Sequence, residues 1–275
     1  MVDLKDIEAA QFELRDNIAV VTLNRPSALN SLNTAMHRDV DACWDEINTN
    51  DEIRAAVVTG AGRFFCAGRD IKEYLGTYGE ADKNVLRPID DPEHELFGRL
   101  CNHYIVKKPL ICALNGPAVG GGLEIVLMCD MVVMAEDAYI ADLHAKVNVG
   151  GMNTLLWFLP PNIARELSMT ERRLTAAECH QYGFANRVAS KAAVLDNAIE
   201  LAKGTAAMGP DSIRMLKEGS LRLQTECGLV TTDEMRENRR KDARERIQQR
   251  HQDSDMLEGM KAFAERREAT YAKPS

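Results

Sequence analysis

The residues with the clearest chemical potential are three consecutive glycines and the glutamate that follows them. Residues 115–130 are NGPAVGGGLEIVLMCD, and the glycines at 120–122 separate an apolar run at 110–114 from a periodic apolar segment. This order predicts a buried strand, a tight turn and the start of a helix. Glycine lets a backbone approach a ligand closely, and the amides at a helix N-terminus favour negative charge. Glu124 would place a titratable carboxylate beside that turn, although a purely structural glycine turn is compatible with the same residues.

A second stretch repeats this arrangement. Residues 55–60 (AAVVTG) predict another buried strand, and FFCAGRDIKE at 64–73 again places a glycine before a helix-like segment. Two strand-to-helix turns can each offer a backbone N–H. Such a pair is the raw material of an oxyanion hole, which stabilises negative charge on a substrate oxygen.

Patterns of apolar residues predict the elements that would position these turns. Residues 12–23 alternate around Asp16 and Asn17, which predicts a β-hairpin. Further strands are predicted at 55–59, 110–114, 131–135 and 139–142, and helices at 32–47, 94–106, 175–182, 191–207, 210–223, 232–249 and 254–271. Residues 76–92 are rich in glycine and proline and predict an excursion that covers a site, and 148–161 predict a link into a helix. Strands and helices therefore alternate early, and we expect only helices from residue 174 onward.

Composition excludes several classes of function. A chain of 275 residues supports one large domain or two small ones, with 45% apolar and 28% charged residues. No run reaches the roughly 18–20 apolar residues of a membrane span, and residues 1–10 are polar and acidic, so we expect a cytoplasmic protein without membrane contact. The net charge of −8 argues against nucleic-acid binding. Seven scattered cysteines and six histidines lack ligand spacing, so no metal is expected.

Four segments, in order, resemble the signatures of the crotonase (enoyl-CoA hydratase/isomerase) superfamily. They are NRPSALNSLN at 24–33, FCAGRDIKE at 65–73, NGPAVGGGLEIVLMCD at 115–130 and EGMKAFAERRE at 258–268. The resemblance extends from about residue 12 to the end of the chain. It implies an α/β crotonase fold, in which repeated ββα units form a spiral core over residues 1–200. A helical region, 201–275, would pack on that core and on neighbouring subunits.

The resemblance also implies a coenzyme A thioester as substrate and no tightly bound cofactor. By motif position, the backbone amides of Arg69 and Gly121 would polarise the thioester carbonyl, and Glu124 would act as acid and base. Charge that develops on the carbonyl oxygen is stabilised by fixed N–H dipoles, so this assignment agrees with the physical argument from the two turns.

The chain departs from the family pattern at the second acid/base position. The residue 20 positions beyond Glu124 is His144, and the proline of the family segment is absent. Histidine titrates near 6.5 and is a capable acid or base at cellular pH. Asp142 lies two residues earlier, so in an extended segment both side chains point to one face and form an orienting pair. A hydrogen-bonded structural role for His144 is the alternative.

Further contacts follow from the resemblance alone. Coenzyme A would be bound by Arg25, Ala28, Ala67, Gly68, Asp70, Ile71, Phe263 and Arg266. The acyl pocket would include Tyr74, Tyr78, Asn148, Asn153 and Trp157, with core packing as the alternative for Trp157. The two asparagines suit an oxygenated acyl group, although turn formation is the commoner explanation for them. A homotrimer or homohexamer is the assembly typical of the family.

These observations favour an enoyl-CoA hydratase or isomerase in which Glu124 is the principal acid/base and His144 assists. Moving a proton between carbons needs a single carboxylate, so isomerisation tolerates the missing second glutamate better than hydration does. One alternative is a hydrolase of thioester or carbon–carbon bonds that uses His144 as its base. The other is a non-catalytic scaffold that binds acyl-CoA.

Overall fold

The structure is a computed structural model that describes residues 4–78, 106–147, 152, 154–226 and 252–271. Its strands are β1 (Ala10–Arg15), β2 (Ile18–Leu23), β3 (Ala55–Gly60), β4 (Leu110–Leu114), β5 (Ala118–Val119), β6 (Met131–Ala135), β7 (Tyr139–Ala141), β8 (Leu174–Thr175) and β9 (Arg187–Ala189). Its helices are α1 (Thr34–Thr49), α2 (Ile71–Tyr78), α3 (Gly121–Leu127), α4 (Leu155–Phe158), α5 (Pro161–Met169), α6 (Ala176–Gln181), α7 (Val194–Ala206), α8 (Pro210–Glu226) and α9 (Gln252–Glu265).

The core is a six-stranded sheet in the order β1-β2-β3-β4-β6-β9. The predicted hairpin is confirmed, because β1 and β2 pair antiparallel and Asp16 occupies the turn with φ 55°. The other neighbours in this sheet pair in parallel. Every residue of β3 and β4 is buried, as their uninterrupted apolar runs predict for central parallel strands.

A smaller sheet, in the order β5-β7-β8, lies beside the turns of interest. β5 follows β4 after three residues and leads directly into α3, so β4, β5 and α3 form a strand–strand–helix unit. β1, β2 and α1 form another such unit. The expected mixed α/β architecture with repeated ββα units is therefore present.

The expectation of only helices from residue 174 onward is wrong. β8 begins at Leu174 and pairs with β7, and β9 adds the sixth strand to the main sheet beside β6. These strands have two and three residues, which is too short for a period-2 pattern to be recognised.

The last helix ends at Glu265, earlier than the predicted 271. Three predicted segments lie wholly or mostly outside the described residues. They are the excursion at 76–92, which is described only as far as Tyr78, the helix at 94–106, of which only Val106 is described, and the helix at 232–249.

The predicted division at residue 200 falls inside α7. This helix contacts β3, β4 and β6, and Ala198, Ile199 and Ala202 on its inner face are buried. A core that ends at residue 200 would cut this packed face, and the two-part division stays a prediction.

An ion pair with a buried lysine fixes α8 to the core. The Lys217 ammonium donates to Asp130 Oδ2 at 2.8 Å and to the Lys108 carbonyl oxygen at 2.6 Å. The same Asp130 oxygen accepts the Leu110 amide of β4 at 2.7 Å. The Lys217 side chain is only 7% exposed, so this pair is shielded from competing water.

We expect Lys217→Met to lower the free energy of unfolding by about 2 kcal/mol, because hydrogen bonds to charged groups contribute about 1.5–3 kcal/mol each and Asp130 is partly exposed. The control is Arg214→Met on the same helix, whose two ion pairs are exposed and should contribute nothing measurable. Urea unfolding of both variants measures the difference. Equal losses of stability would contradict the assigned role of Lys217.

Candidate active site

The two glycine turns are held side by side by backbone pairing. Cys66 and Ala118 form an isolated parallel bridge, in which the Val119 amide donates to the Cys66 carbonyl oxygen at 3.0 Å. On the other side of the segment 66–70, the Leu32 amide donates to the Gly68 carbonyl oxygen at 2.8 Å. The FCAG turn at 65–68 is therefore fixed between β5 and the residues that precede α1.

Glycines allow the two backbones to approach. A Cβ on Gly122 would lie 2.3 Å from the Cys66 carbonyl oxygen, and a Cβ on Gly68 would lie 3.2 Å from the Gly121 amide nitrogen. The Arg69 nitrogen lies 3.7 Å from the position of a Cβ on Gly121. Gly68 also has φ +87°, a conformation that L side chains rarely adopt. The amides assigned by resemblance to the oxyanion hole thus occupy one corner of the molecule.

Sequence reasoning missed Asn30, which braces the FCAG turn. This residue is fully buried. Its amide nitrogen lies 2.9 Å from the carbonyl oxygens of Ala61 and Phe64 and 3.1 Å from that of Phe65, and its Oδ1 accepts the Arg25 amide at 2.9 Å. A polar amide can satisfy several carbonyls of a tight turn, but the turn that Asn30 braces lies more than 30 residues further along the chain, so no local pattern indicated this role.

A cavity of about 230 Å³ opens beside these turns. Its described wall consists of Ala67, Gly68, Arg69, Ile71, Val119, Gly120, Gly121, Glu124, Leu143, His144, Val147, Met152, Met260 and Phe263. Most of these side chains are apolar, and three carry charge or titrate. The cavity therefore combines an apolar lining with a small polar cluster, as ligand sites usually do.

Glu124 contributes a carboxylate to this polar cluster. Its amide donates to the Gly120 carbonyl oxygen at 3.1 Å, which fixes the first turn of α3. Its Oε2 is buried and has no hydrogen-bond partner among the described residues. A buried oxygen without a partner is costly in a folded protein unless a ligand or water satisfies it. Glu124 therefore places an unsatisfied carboxylate oxygen beside the cavity.

His144 faces the same cavity and forms the predicted pair with Asp142. The distance from His144 Nδ1 to Asp142 Oδ1 is 2.7 Å, and the pair lies in the loop after β7 rather than in an extended strand. Asp142 Oδ1 also accepts the His144 amide at 3.1 Å, and its Oδ2 accepts the Met152 amide at 3.1 Å. Since a carboxylate only accepts, Nδ1 carries the proton. The imidazole edge lies beside Gly120, with His144 Cε1 3.9 Å and Nε2 4.0 Å from where a Cβ on that residue would lie.

The surroundings shift both pKa values. Burial disfavours the His144 imidazolium, but the hydrogen bond to Asp142 and the negative charges of Glu124 and Asp142 outweigh burial and raise the pKa of His144. Burial likewise opposes ionisation of Asp142, yet its hydrogen bonds from His144, Ser168 and two backbone amides lower the pKa of Asp142. The imidazolium therefore persists to higher pH than for an ordinary histidine.

Of the eight residues expected to bind coenzyme A, four line the cavity and four are not part of its described wall. Ala67, Gly68, Ile71 and Phe263 line the cavity. Arg25 and Asp70 instead pair with each other at 3.1 Å, and Arg25 also donates to the Ser31 carbonyl oxygen at 2.6 Å. Ala28 ends the short 3-10 turn Pro26–Ala28, and Arg266 is exposed just beyond α9.

The residues expected in the acyl pocket are more dispersed. Tyr74 is buried beside the cavity, with the Arg69 guanidinium carbon 4.5 Å from its ring centroid. Trp157 is 49% exposed and is not part of the described wall of the cavity. The Tyr78 side chain, Asn148 and Asn153 lie outside what the structure describes. Val147 and Met152, in the stretch that the resemblance assigned to the acyl pocket, line the cavity. Sequence reasoning missed Leu143 and Met260, whose apolar character alone did not distinguish them from core residues.

Among the described residues, no group of three or more His, Cys, Asp or Glu side chains could hold a metal ion. None of the helices in this part is both long enough and apolar enough to cross a membrane.

Comparison with known proteins gives consistent matches over nearly the whole chain. The sequence profile of the enoyl-CoA hydratase/isomerase family matches residues 13–274. A carnitinyl-CoA dehydratase of Citrobacter koseri is 34% identical, with 96% of this chain and 98% of that protein covered. An enoyl-CoA hydratase of Mycobacterium tuberculosis is 34% identical, with 79% of this chain and 81% of that protein covered. The solved structure of a carnitinyl-CoA dehydratase from Mycobacterium avium superposes with a TM-score of 0.77 at 30% identity, with 96% and 98% covered.

Proposed function

The chain belongs to the enoyl-CoA hydratase/isomerase family of the crotonase superfamily and has its fold, and from this premise we propose that it adds water to, or removes water from, the α,β bond of an acyl-CoA thioester. The observation that carries the proposal is that Glu124 and His144, two titratable groups, line one cavity beside the Arg69 and Gly121 amides. Such a reaction needs a proton at the α-carbon and a second group that handles water, so two facing acid/base groups suit it.

The two amides would hold the thioester oxygen. Removal of the α-proton, or attack of water at the β-carbon, moves negative charge onto that oxygen as an enolate. A fixed N–H donor contributes about 3–4 kcal/mol to such a transition state. Gly121 and the Gly68–Arg69 peptide supply these donors from the backbone, so the chemistry does not depend on the Arg69 side chain.

The acid/base pair would then exchange protons with no net gain or loss. In dehydration, the Glu124 carboxylate removes the α-proton, and the His144 imidazolium protonates the β-hydroxyl as it leaves as water. The pair ends as neutral Glu124 and neutral His144, and transfer of one proton from Glu124 to His144 through solvent restores the starting state for the next dehydration. Hydration runs in reverse from the neutral pair, which has the same number of protons. Asp142 orients the imidazole and favours its charged form.

A substrate panel tests the proposal. We expect crotonyl-CoA to lose the absorbance of its conjugated thioester as water adds, and the product to incorporate deuterium at the α-carbon in deuterated water. Conversion of a 3-enoyl-CoA without hydration of crotonyl-CoA would instead identify an isomerase. Absence of both reactions, with acyl-CoA still bound, would contradict the proposal.

Hydrolysis is a second candidate, and the Asp142–His144 pair is the observation that favours it. A histidine oriented by a buried carboxylate can activate water for attack on a carbonyl held in an oxyanion hole. A β-ketoacyl-CoA separates the two functions. Release of free thiol or cleavage of its carbon–carbon bond, without hydration of crotonyl-CoA, would favour a hydrolase.

Asp142→Asn should shift the pH profile. Asparagine removes the negative charge that raises the pKa of His144, so the imidazolium is lost at lower pH. If the imidazolium is the acid in dehydration, kcat falls as pH rises through this pKa. We therefore expect the alkaline limb of the kcat profile to move to lower pH, by about one unit or more for a lost hydrogen-bonded charge. An alkaline limb that stays in place would show that His144 does not titrate in the rate-limiting step.

Assembly and location belong to the proposal as well. Homologous architecture favours a homotrimer or homohexamer in the cytoplasm, with coenzyme A entering as part of the substrate. Sedimentation equilibrium measures the assembly directly.

A further inference from the structure

We propose that the chain after the last helix positions His144, and that the Tyr271 hydroxyl makes the contact through which it does so. The return segment comprises residues 266–271, which follow α9 and are bound back onto it. The proposal rests on the proposed function in taking His144 as a reacting group. It adds a positioning residue from the opposite end of the chain.

A single peptide group connects Tyr271 to His144. The Tyr271 hydroxyl donates to the Lys146 carbonyl oxygen at 2.5 Å. The amide of the same peptide group belongs to Val147, and it donates to the His144 carbonyl oxygen at 3.2 Å. The carbonyl and the amide of a trans peptide lie in one plane and point in opposite directions. Fixing the Lys146 carbonyl therefore also fixes the amide that holds His144.

The return segment is itself fixed to α9. Arg266, just beyond the helix, has φ 57°, the left-handed conformation that commonly ends a helix and reverses the chain. The Arg267 guanidinium then binds the Glu258 carboxylate with two nitrogens, at 2.5 and 2.9 Å, and such bidentate pairs are geometrically specific. The Thr270 amide donates to the same carboxylate at 2.9 Å. The residue before Tyr271 is therefore held in place.

α9 and the turn after His144 are in close contact at the same point. Gly259 of α9 is buried, and a Cβ on it would lie 2.9 Å from the Val147 Cα and 2.9 Å from the Tyr271 hydroxyl oxygen. The next residue, Met260, is buried in one apolar cluster with Val147. Val147, Met260 and His144 all line the cavity. The return segment therefore contacts a turn that forms part of the cavity wall.

The pKa of His144 reports the position of the imidazole. Burial lowers this pKa, but the hydrogen bond to Asp142 and the charges of Glu124 and Asp142 raise it above its usual value. The hydrogen bond is short, with 2.7 Å between Nδ1 and Oδ1, so it weakens when the turn moves. Burial also raises the pKa of Tyr271, so its phenol is uncharged at neutral pH. A change in the pKa of His144 on loss of that phenol hydroxyl therefore reflects position and not charge.

Tyr271→Phe tests the contact, because phenylalanine keeps the ring and removes only the hydroxyl. NMR of the ligand-free protein with ¹³C-labelled histidine measures the pKa of His144, and His144→Gln identifies its signal. We expect the pKa of His144 to fall, with an acid dissociation constant about threefold larger, because a mobile turn keeps less of the bond to Asp142. The matched control is Tyr182→Phe, just beyond α6, which packs against the core, is not on the described cavity wall and should leave this pKa unchanged.

Steady-state kinetics measure the consequence for the reaction. Tyr271→Phe should lower kcat for hydration of crotonyl-CoA about tenfold and change KM less than about twofold, because a misplaced acid/base group slows the chemistry while the binding contacts remain.

A second variant tests the return segment as a whole. Arg267→Lys keeps the positive charge but loses the bidentate contact to Glu258, so it should lower kcat and the pKa of His144 in the same direction. Its matched control is Arg222→Lys, which alters an exposed arginine paired with Glu226 on α8 and should change neither quantity.

Each outcome decides between the claims. An unchanged pKa of His144 in Tyr271→Phe would overturn the positioning role, even if the variant were less stable to urea. An equal change in Tyr182→Phe would overturn it too. An unchanged pKa in Arg267→Lys would overturn the part assigned to the rest of the return segment. If the unmodified protein hydrates no acyl-CoA, the proposed function fails, and the pKa of His144 still decides whether Tyr271 positions it.

Discussion

Glu124→Gln is expected to lower kcat for hydration of crotonyl-CoA by about 10³-fold, because a positioned acid/base group typically contributes 10²–10⁴-fold. Glutamine has nearly the same shape but cannot remove a proton. KM should change by less than about threefold, since the variant keeps the amides and the apolar wall that bind the substrate in both ground and transition states. Steady-state kinetics, with circular dichroism to confirm folding, measures the effect.

The matched control for this variant is Glu136→Gln. Glu136 is exposed in the turn after β6 and is not on the described wall of the cavity. Its replacement should leave kcat unchanged. If Glu124→Gln retained more than a tenth of the activity, Glu124 would not be the principal acid/base. Acyl-CoA binding without turnover in both the unmodified protein and the variant would favour the scaffold instead.

Gly122→Ala is expected to reduce kcat/KM by at least about 100-fold, because loss of one oxyanion donor costs 10²–10³-fold. The added Cβ would lie 2.3 Å from the Cys66 carbonyl oxygen and 2.8 Å from the Cys66 Cβ. Both obstacles are rigid, so the turn after β5 must move away from the FCAG turn. We also expect a loss of about 1–3 kcal/mol in the free energy of unfolding, the usual cost of overpacking.

Gly204→Ala provides the comparison for a glycine that contacts nothing. This residue lies in α7, and, apart from its chain neighbours and the nearby backbone of its own helix, no heavy atom of the described residues lies within 4 Å of its hypothetical Cβ. Alanine should leave activity unchanged and stabilise the helix by up to about 1 kcal/mol, because glycine is the weaker helix former. A Gly122→Ala protein with normal stability and activity would show that close approach of the two turns is not required.

Prediction from sequence succeeded where a local pattern determines the structure. The largely apolar runs of β3 and β4 and the glycines that follow them predicted both turns in place. The prediction failed for β8 and β9, since two or three residues carry no periodicity and their strand geometry comes from the neighbouring strands β7 and β6. Asn30 was missed for a similar reason, because the carbonyls that it satisfies lie more than 30 residues along the chain.

The sequence by itself determined the family, the two glycine turns and the choice of Glu124, Asp142 and His144 as candidate acid/base residues. These depend on residue identity and spacing along the chain. Only the tertiary structure decided that both turns meet at one corner, that Glu124 and His144 line a common cavity, and that the Arg69 guanidinium stacks on Tyr74 there. These relations depend on pairing between distant segments, such as Cys66 with Ala118 and Leu32 with Arg69. Distances across such pairs are fixed by packing of the whole core.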